Sequence, residues 1–134
     1  MNFNLKFSFF SICLVPILVF SQTSIVLNWK NLNYDNFEVA SFDSAIYLSE
    51  YSGLPSFQKM LKLTNNYYFD IEVYDTYFTD VNEFEKNKLK YIELSEEIVH
   101  SSDVKLSANI PYQRIVVFPY INISGNYKKL TKFK

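Results

Sequence analysis

Val104-Lys105-Leu106-Ser107-Ala108-Asn109-Ile110 alternates apolar and polar side chains, and Ile115-Val116-Val117-Phe118 follows as an unbroken apolar run. A period of two places one face of a strand on a core and the other in water. A continuous apolar run suits a strand covered on both faces. Phe69-Asp70-Ile71-Glu72-Val73 repeats the alternation with acids on the wet side. These three stretches make the chain a β protein.

Weaker strand signals lie on either side. Ser24 to Trp29 reads as a first strand, and Phe37–Phe42 and Ala45–Leu48 as two more separated by Asp43-Ser44. Ser52-Gly53-Leu54-Pro55 is a turn, because glycine and proline both punctuate local structure. Ser56 to Leu63 has a spacing that fits either a twisted edge strand or a short helix. Pro119 interrupts the apolar run, after which Ile121-Asn122-Ile123 resumes pairing. Ser124-Gly125-Asn126 turns the chain into a last strand, Tyr127 to Phe133. One helix is expected after Asp80, which caps it with Glu83 three residues on, and it runs to about Lys90. A second helical turn fits Ser95 to His100. The fold expected is mainly β: a small antiparallel β-sandwich or rolled sheet with one short helix.

This domain follows an export signal. Lys6 gives residues 1–6 one positive charge, Phe7 to Phe20 is apolar apart from two serines, and Ser21 is a small residue before a polar stretch. Those are the requirements of a cleavable signal peptide, here residues 1–21. The apolar run contains Pro16 and is shorter than the roughly 20 residues a spanning helix needs. No membrane span is expected once the signal is removed. Cys13, the one cysteine, lies inside the apolar run after Ile12, where a lipoprotein signal would need a small residue. It is discarded with the signal, and residues 22–134 then contain no thiol for a disulfide, a nucleophile or a metal.

About 113 residues remain, enough for one domain. The chain's thirteen basic residues less Lys6 leave twelve against fourteen acids, a net charge of −2. That balance gives no electrostatic footprint for nucleic acid. Ten of the acids fall between Asp70 and Asp103, and five basic residues with no acid lie from Gln113 to Lys134. Only Gly53 and Gly125 are available for backbone cradles, so neither a Walker loop nor a dinucleotide fingerprint can be assembled.

The residue types for catalysis are sparse. His100 is the single histidine, and its neighbours Ser101, Ser102 and Asp103 read as a solvated polar segment, since triads are assembled across a fold. Glu96 and Glu97 beside Asp103 make no calcium or zinc pattern. No catalytic, cofactor-binding or metal-binding residue is assigned. Tyr67, Tyr68, Tyr74, Tyr77 and Phe78 cluster around the clearest strand; core packing and cross-strand pairing are their commoner fate, and a platform for glycan or peptide the alternative.

Taken in order, Phe20-Ser21-Gln22, Leu27-Asn28-Trp29, Leu54-Pro55, the strand Phe69 to Val73 with Tyr77, the strand from Val104, and the closing Tyr127-Lys128-Lys129-Leu130-Thr131-Lys132-Phe133 form a pattern. It resembles the N-terminal region of the PorU family, the gingipain-like cysteine peptidases of the type IX secretion system in Bacteroidota. The similarity spans nearly the whole chain but only that family's non-catalytic leading segment. It implies a prodomain-like domain that packs against a peptidase domain or other type IX secretion components, in the periplasm or at the cell surface. The peptidase processes C-terminal secretion signals; its catalytic histidine and cysteine lie in a later domain, so none is carried over and the chain itself is expected not to be an enzyme. Lys128 to Lys134 runs off a strand-like segment without a turn or cap, as an unfinished edge strand of a truncated or split chain would. A free-standing secreted module for glycan or peptide is the alternative, and a small hydrolase the least favoured reading.

Overall fold

The computed structural model describes residues 22–34, 37–64 and 68–134. The expected signal peptide, Cys13 and Tyr67 lie outside the described residues. The chain is mainly β, as expected. In order it forms β1 (Ile25–Val26), β2 (Trp29–Tyr34), β3 (Phe37–Phe42), β4 (Ile46–Tyr47), a single 3-10 turn (Ser49–Tyr51), β5 (Pro55–Lys62), β6 (Tyr77–Asp80), α1 (Glu83–Leu89), β7 (Val99–Ser107), β8 (Ile110–Phe118), β9 (Tyr120–Ile123) and β10 (Asn126–Phe133). Every pairing is antiparallel.

One sheet runs β4-β5-β8-β7, a second is built around β10, and β2-β3 form a separate hairpin. The two larger sheets share one apolar core. Ile115 and Val117 of β8 meet Leu130 and Phe133 of β10, with Leu27 and Phe42 closing the cluster. Pro119 is the corner at which the chain leaves one sheet and enters the other. It donates no hydrogen bond, but its carbonyl accepts from Leu130 N–H at 2.8 Å. Phe118 and Tyr120 on either side pack with Leu54 and Leu89 into a second cluster under α1.

Several expectations change in detail. The stretch from Val104 to Ile110 is not one strand: β7 begins earlier, at Val99, and ends at Ser107. Ala108 and Asn109 both take positive φ, 48° and 64°, which is the two-residue turn whose twist matches paired strands. Ser56 to Leu63 resolves as a strand, β5 at Pro55–Lys62, paired with β4 at Pro55 and Ser56 and with β8 from Phe57 to Lys62. The expected first strand is split, because Trp29 N–H bonds back to Leu27 C=O at 3.0 Å and the chain bends there.

In Phe69 to Val73, Ile71 and Val73 have the predicted facing while Phe69 is half exposed, and the stretch has no strand partner among the described residues. Ile71 and Val73 pack on the core while Asp70 and Glu72 face water. The backbone of Phe69 is held instead by the side chain of Gln113, whose amide oxygen accepts from Phe69 N–H and whose amide nitrogen donates to Phe69 C=O, both at 2.7 Å. A buried amide thus stands in for one rung of a ladder.

The helix starts two residues later than expected. Asn82, not Asp80, is its N-cap, and Glu85 completes the reciprocal capping pair at 2.8 Å in each direction. Asp80 ends β6 and pairs with Lys128. Asn82–Glu85 has the same spacing as Asp80–Glu83, so the capping pattern alone does not choose between the two frames. Ser95 to His100 is not helical: it is a bend leading into β7. Finally, β10 is no edge strand. Lys128 is opposite Asp80 on one side and Ile121 on the other, and Val26 and Ile25 continue the second side at Lys132 and Phe133.

Candidate functional site: an acidic cleft with an apolar floor

A cleft of about 490 Å³ opens where β6 and β9 of one sheet approach the start of β7 in the other. Its apolar lining comes from Ile71, Val73, Phe78, Ile98, Ile121 and Ile123, and its polar lining from Glu72, Thr76, Glu96, Glu97 and His100. Three carboxylates and no lysine or arginine line it, so its electrostatic preference is for a cation.

Each wall is fixed by local chemistry. The Ser95 hydroxyl donates to Glu97 C=O at 2.8 Å and accepts from Glu97 N–H at 3.2 Å, a short serine turn that sets Glu96 and Glu97 at the rim. Ser95 C=O accepts from Asn122 N–H at 3.1 Å, tying this rim to β9. The opposite wall, residues 71–76, is anchored at one end by Gln113. At the other, Tyr74 and Lys134 exchange backbone hydrogen bonds of 3.0 and 2.9 Å, and Lys134 Nζ lies 3.0 Å from the Asp75 carboxylate.

The sequence neighbours of His100 do not converge on it. Alternation along β7 puts Ser101 and Asp103 on one face, His100 and Ser102 on the other. The Ser102 hydroxyl accepts from Gln113 Nε2 at 2.8 Å. Asp103 takes a two-pronged bond from Arg114, at 2.8 and 3.0 Å, and Lys105 Nζ at 3.0 Å. Those bonds, Arg114 first and Lys105 second, hold the Asp103 carboxyl below the usual carboxylate range. Glu96 and Glu97 reach the cleft and Asp103 does not. Among the described residues no group of three histidine, cysteine or acidic side chains is arranged for a metal ion.

The aromatic cluster divides. Phe78 packs on the core, Tyr74 turns its hydroxyl into the interior, and Tyr68 and Tyr77 stay exposed. Lys132 Nζ lies 5.7 Å from the centre of the Tyr77 ring.

A second charged group, which the sequence reading missed, is sealed from solvent. Glu85 is fully buried on α1, and Lys129 of β10 reaches its two oxygens at 3.0 and 3.2 Å. Tyr120 donates its hydroxyl to Glu85 at 2.8 Å, and Lys129 Nζ sits 4.5 Å from the centre of the Trp29 ring. Burial, then the neighbouring Glu85 charge, pushes the Tyr120 phenol far above its ordinary range. None of these four residues lines the cleft. The group braces the helix against the second sheet, and every hydrogen-bonding atom of the carboxylate is satisfied within the fold. Only its capping spacing is visible in the sequence; the tyrosine and lysine arrive from strands 35 and 44 residues away.

No helix among the described residues is long and apolar enough to cross a membrane. Set against protein-family models, curated proteins and solved structures, the chain matches none of them.

Proposed function

We propose that the chain is a non-catalytic, exported docking domain whose cleft seats a peptide segment with apolar and basic side chains. The observation that carries this reading is the lining itself: six apolar side chains and three carboxylates, with no lysine or arginine among them. An apolar side chain of the ligand would gain by leaving water on the floor, and a lysine or arginine beside it would meet the Glu72, Glu96 and Glu97 rim. The resemblance to the leading region of gingipain-like peptidases suggests the source of the segment. It would be a strand or loop of the peptidase domain, with this chain acting in the manner of a prodomain. A free-standing secreted module would use the same cleft for a peptide from elsewhere.

A dye-labelled peptide of alternating leucine and lysine tests the cleft by fluorescence anisotropy. Saturable binding is expected, weakened at least tenfold, or about 1.4 kcal/mol, by Ile123→Asp and by Glu96→Gln combined with Glu97→Gln. Equal binding of a leucine–glutamate peptide, or no saturation, would overturn the reading. Mixing the chain with a separate gingipain-like peptidase domain then distinguishes the sources. A complex that Ile123→Asp abolishes supports the leading-domain role, and its absence beside retained peptide binding supports the free-standing module.

A further inference from the structure

The nine residues of β7 form an edge whose outer side has no partner among the described residues. The two-residue turn at Ala108-Asn109 makes Ser107 and Ile110 a hydrogen-bonded pair. Alternation back along β7 then directs the backbone groups of Ser107, Lys105, Asp103, Ser101 and Val99 toward β8. Those of Leu106, Val104, Ser102 and His100 point outward. The outward residues include two exposed apolar side chains, Val104 at 41% and Leu106 at 72% of full exposure. A long edge with free backbone groups and apolar side chains is a template for another strand.

We propose that the strand it takes is β7 of a second copy, antiparallel and in the register that places Val104 opposite itself. The charges select the copy and the register. With the two-fold axis at Val104, Asp103 of each chain lies across from Lys105 of the other, giving two opposite-charge pairs on one face. A two-fold axis at Ser102 would set Asp103 against Ser101, and one at Leu106 would set Lys105 against Ser107, with no charge pairing in either case. The backbone agrees with the charges, because Val104 is one of the outward-facing residues. It can exchange both N–H···O=C bonds with its own copy, the arrangement a two-fold axis permits. Leu106 then lies across from Ser102, and Val104 is covered by Val104. Asp103 keeps its Arg114 fork, since a carboxylate has acceptor sites beyond the two that the guanidinium uses. The result is an eight-stranded antiparallel sheet running through both chains.

The interface meets the cleft at His100, but neither Val104 nor Lys105 lines the cleft, so each proposal can fail without the other. Sedimentation equilibrium of the full chain should show a concentration-dependent dimer. Val104→Pro removes an outward N–H and leaves the β8 ladder intact, a placement proline tolerates, and should leave monomer alone. Lys105→Glu sets acid against acid and should weaken the dimer at least tenfold, which keeps the test open if the proline variant fails to fold. In a Cys13→Ser background, Val104→Cys should cross-link to itself on mild oxidation. Its Cα atoms would be about 5.5 Å apart, within disulfide reach. Leu106→Cys should not, because its copies would be roughly 13 Å apart along the strands. A monomer at every concentration, or equal cross-linking of the two cysteine variants, would overturn the proposal.

Discussion

Glu85 and Asp103 each hold a cation from a neighbouring strand, and the two pairs differ in what else surrounds them. Glu85 is fully buried on α1 against Tyr120, and its lysine, set over the Trp29 ring, is 9% exposed. Asp103 stands on an edge strand with 41% of its side chain in water, and Arg114 and Lys105 share it. Water can replace any partner that Asp103 loses. It cannot reach Glu85, where the remaining charge would stay buried without compensation. Similar distances therefore carry different energies, and the surroundings decide which pair the fold depends on.

The sharpest way to break this contrast is to remove one member of the buried pair. Lys129→Met should destabilise the chain by about 3–5 kcal/mol in urea denaturation. Adding Glu85→Gln, whose amide oxygen can accept from Asn82 N–H while its amide nitrogen donates to the Tyr120 hydroxyl oxygen, removes the charge and should recover much of that loss. If the double variant is no better than the single, the damage is to packing and the electrostatic account fails. Alkali tests the same region. A phenol whose folded value is raised contributes stability that is fully present below its ordinary value of about 10 and is lost as pH rises above it. Tyr120→Phe should flatten the alkaline limb of a pH–stability curve relative to the parent protein.

Smaller effects bracket the contrast. Asn82→Ala removes the cap that holds Glu85 in place and should cost about 1 kcal/mol. At the hairpin tip, Ala108 occupies a left-handed conformation at φ 48°, so Ala108→Asn should raise stability by up to about 1 kcal/mol. The smallest change belongs to Asp103→Asn. Its carboxyl is held low in the folded state, so what it contributes is present above the ordinary value of about 3.9 and is lost as pH falls through the folded value. The variant should shift the neutral-pH midpoint least of all and reduce the acid dependence. A shift as large as that of Lys129→Met would erase the distinction between the two pairs.

The sequence revealed those parts of the fold whose partners are close along the chain. Phe37–Phe42, the apolar run of β8 and the Ser124-Gly125 turn are each carried by residues a few positions apart, and local alternation or glycine reports them. What the alternation in Phe69 to Val73 could not reveal was its backbone partner, because that partner is the Gln113 side chain rather than a strand. The cap was misplaced by two residues for a related reason. Asp80 and Asn82 are equivalent as capping types, and β6 pairing, a tertiary event, takes Asp80 into a strand. The cleft was hidden more completely. Glu72, Glu96, Ile121 and Ile123 come from three separated segments, and only the change of sheet at Pro119 brings them together. Glu96-Glu97 is visible in the sequence as an acidic pair, but its neighbours in the cleft are apolar residues elsewhere in the chain.

The central place of β10 bears on the order in which the polypeptide can fold. Trp29 donates its indole N–H to Leu130 C=O across 101 residues, and β1 has its partner in Lys132 and Phe133. A chain that emerges N-terminus first therefore presents β1 and β6 before their partner β10 exists. Their sheet can assemble only once β10 has emerged. The β7–β8 and β9–β10 hairpins, each closed by a two-residue turn, can form locally at that moment and collect the waiting strands. Emergence of β1 and β6 and assembly of their sheet are thereby kept apart in time by topology, with β10 acting as the latch.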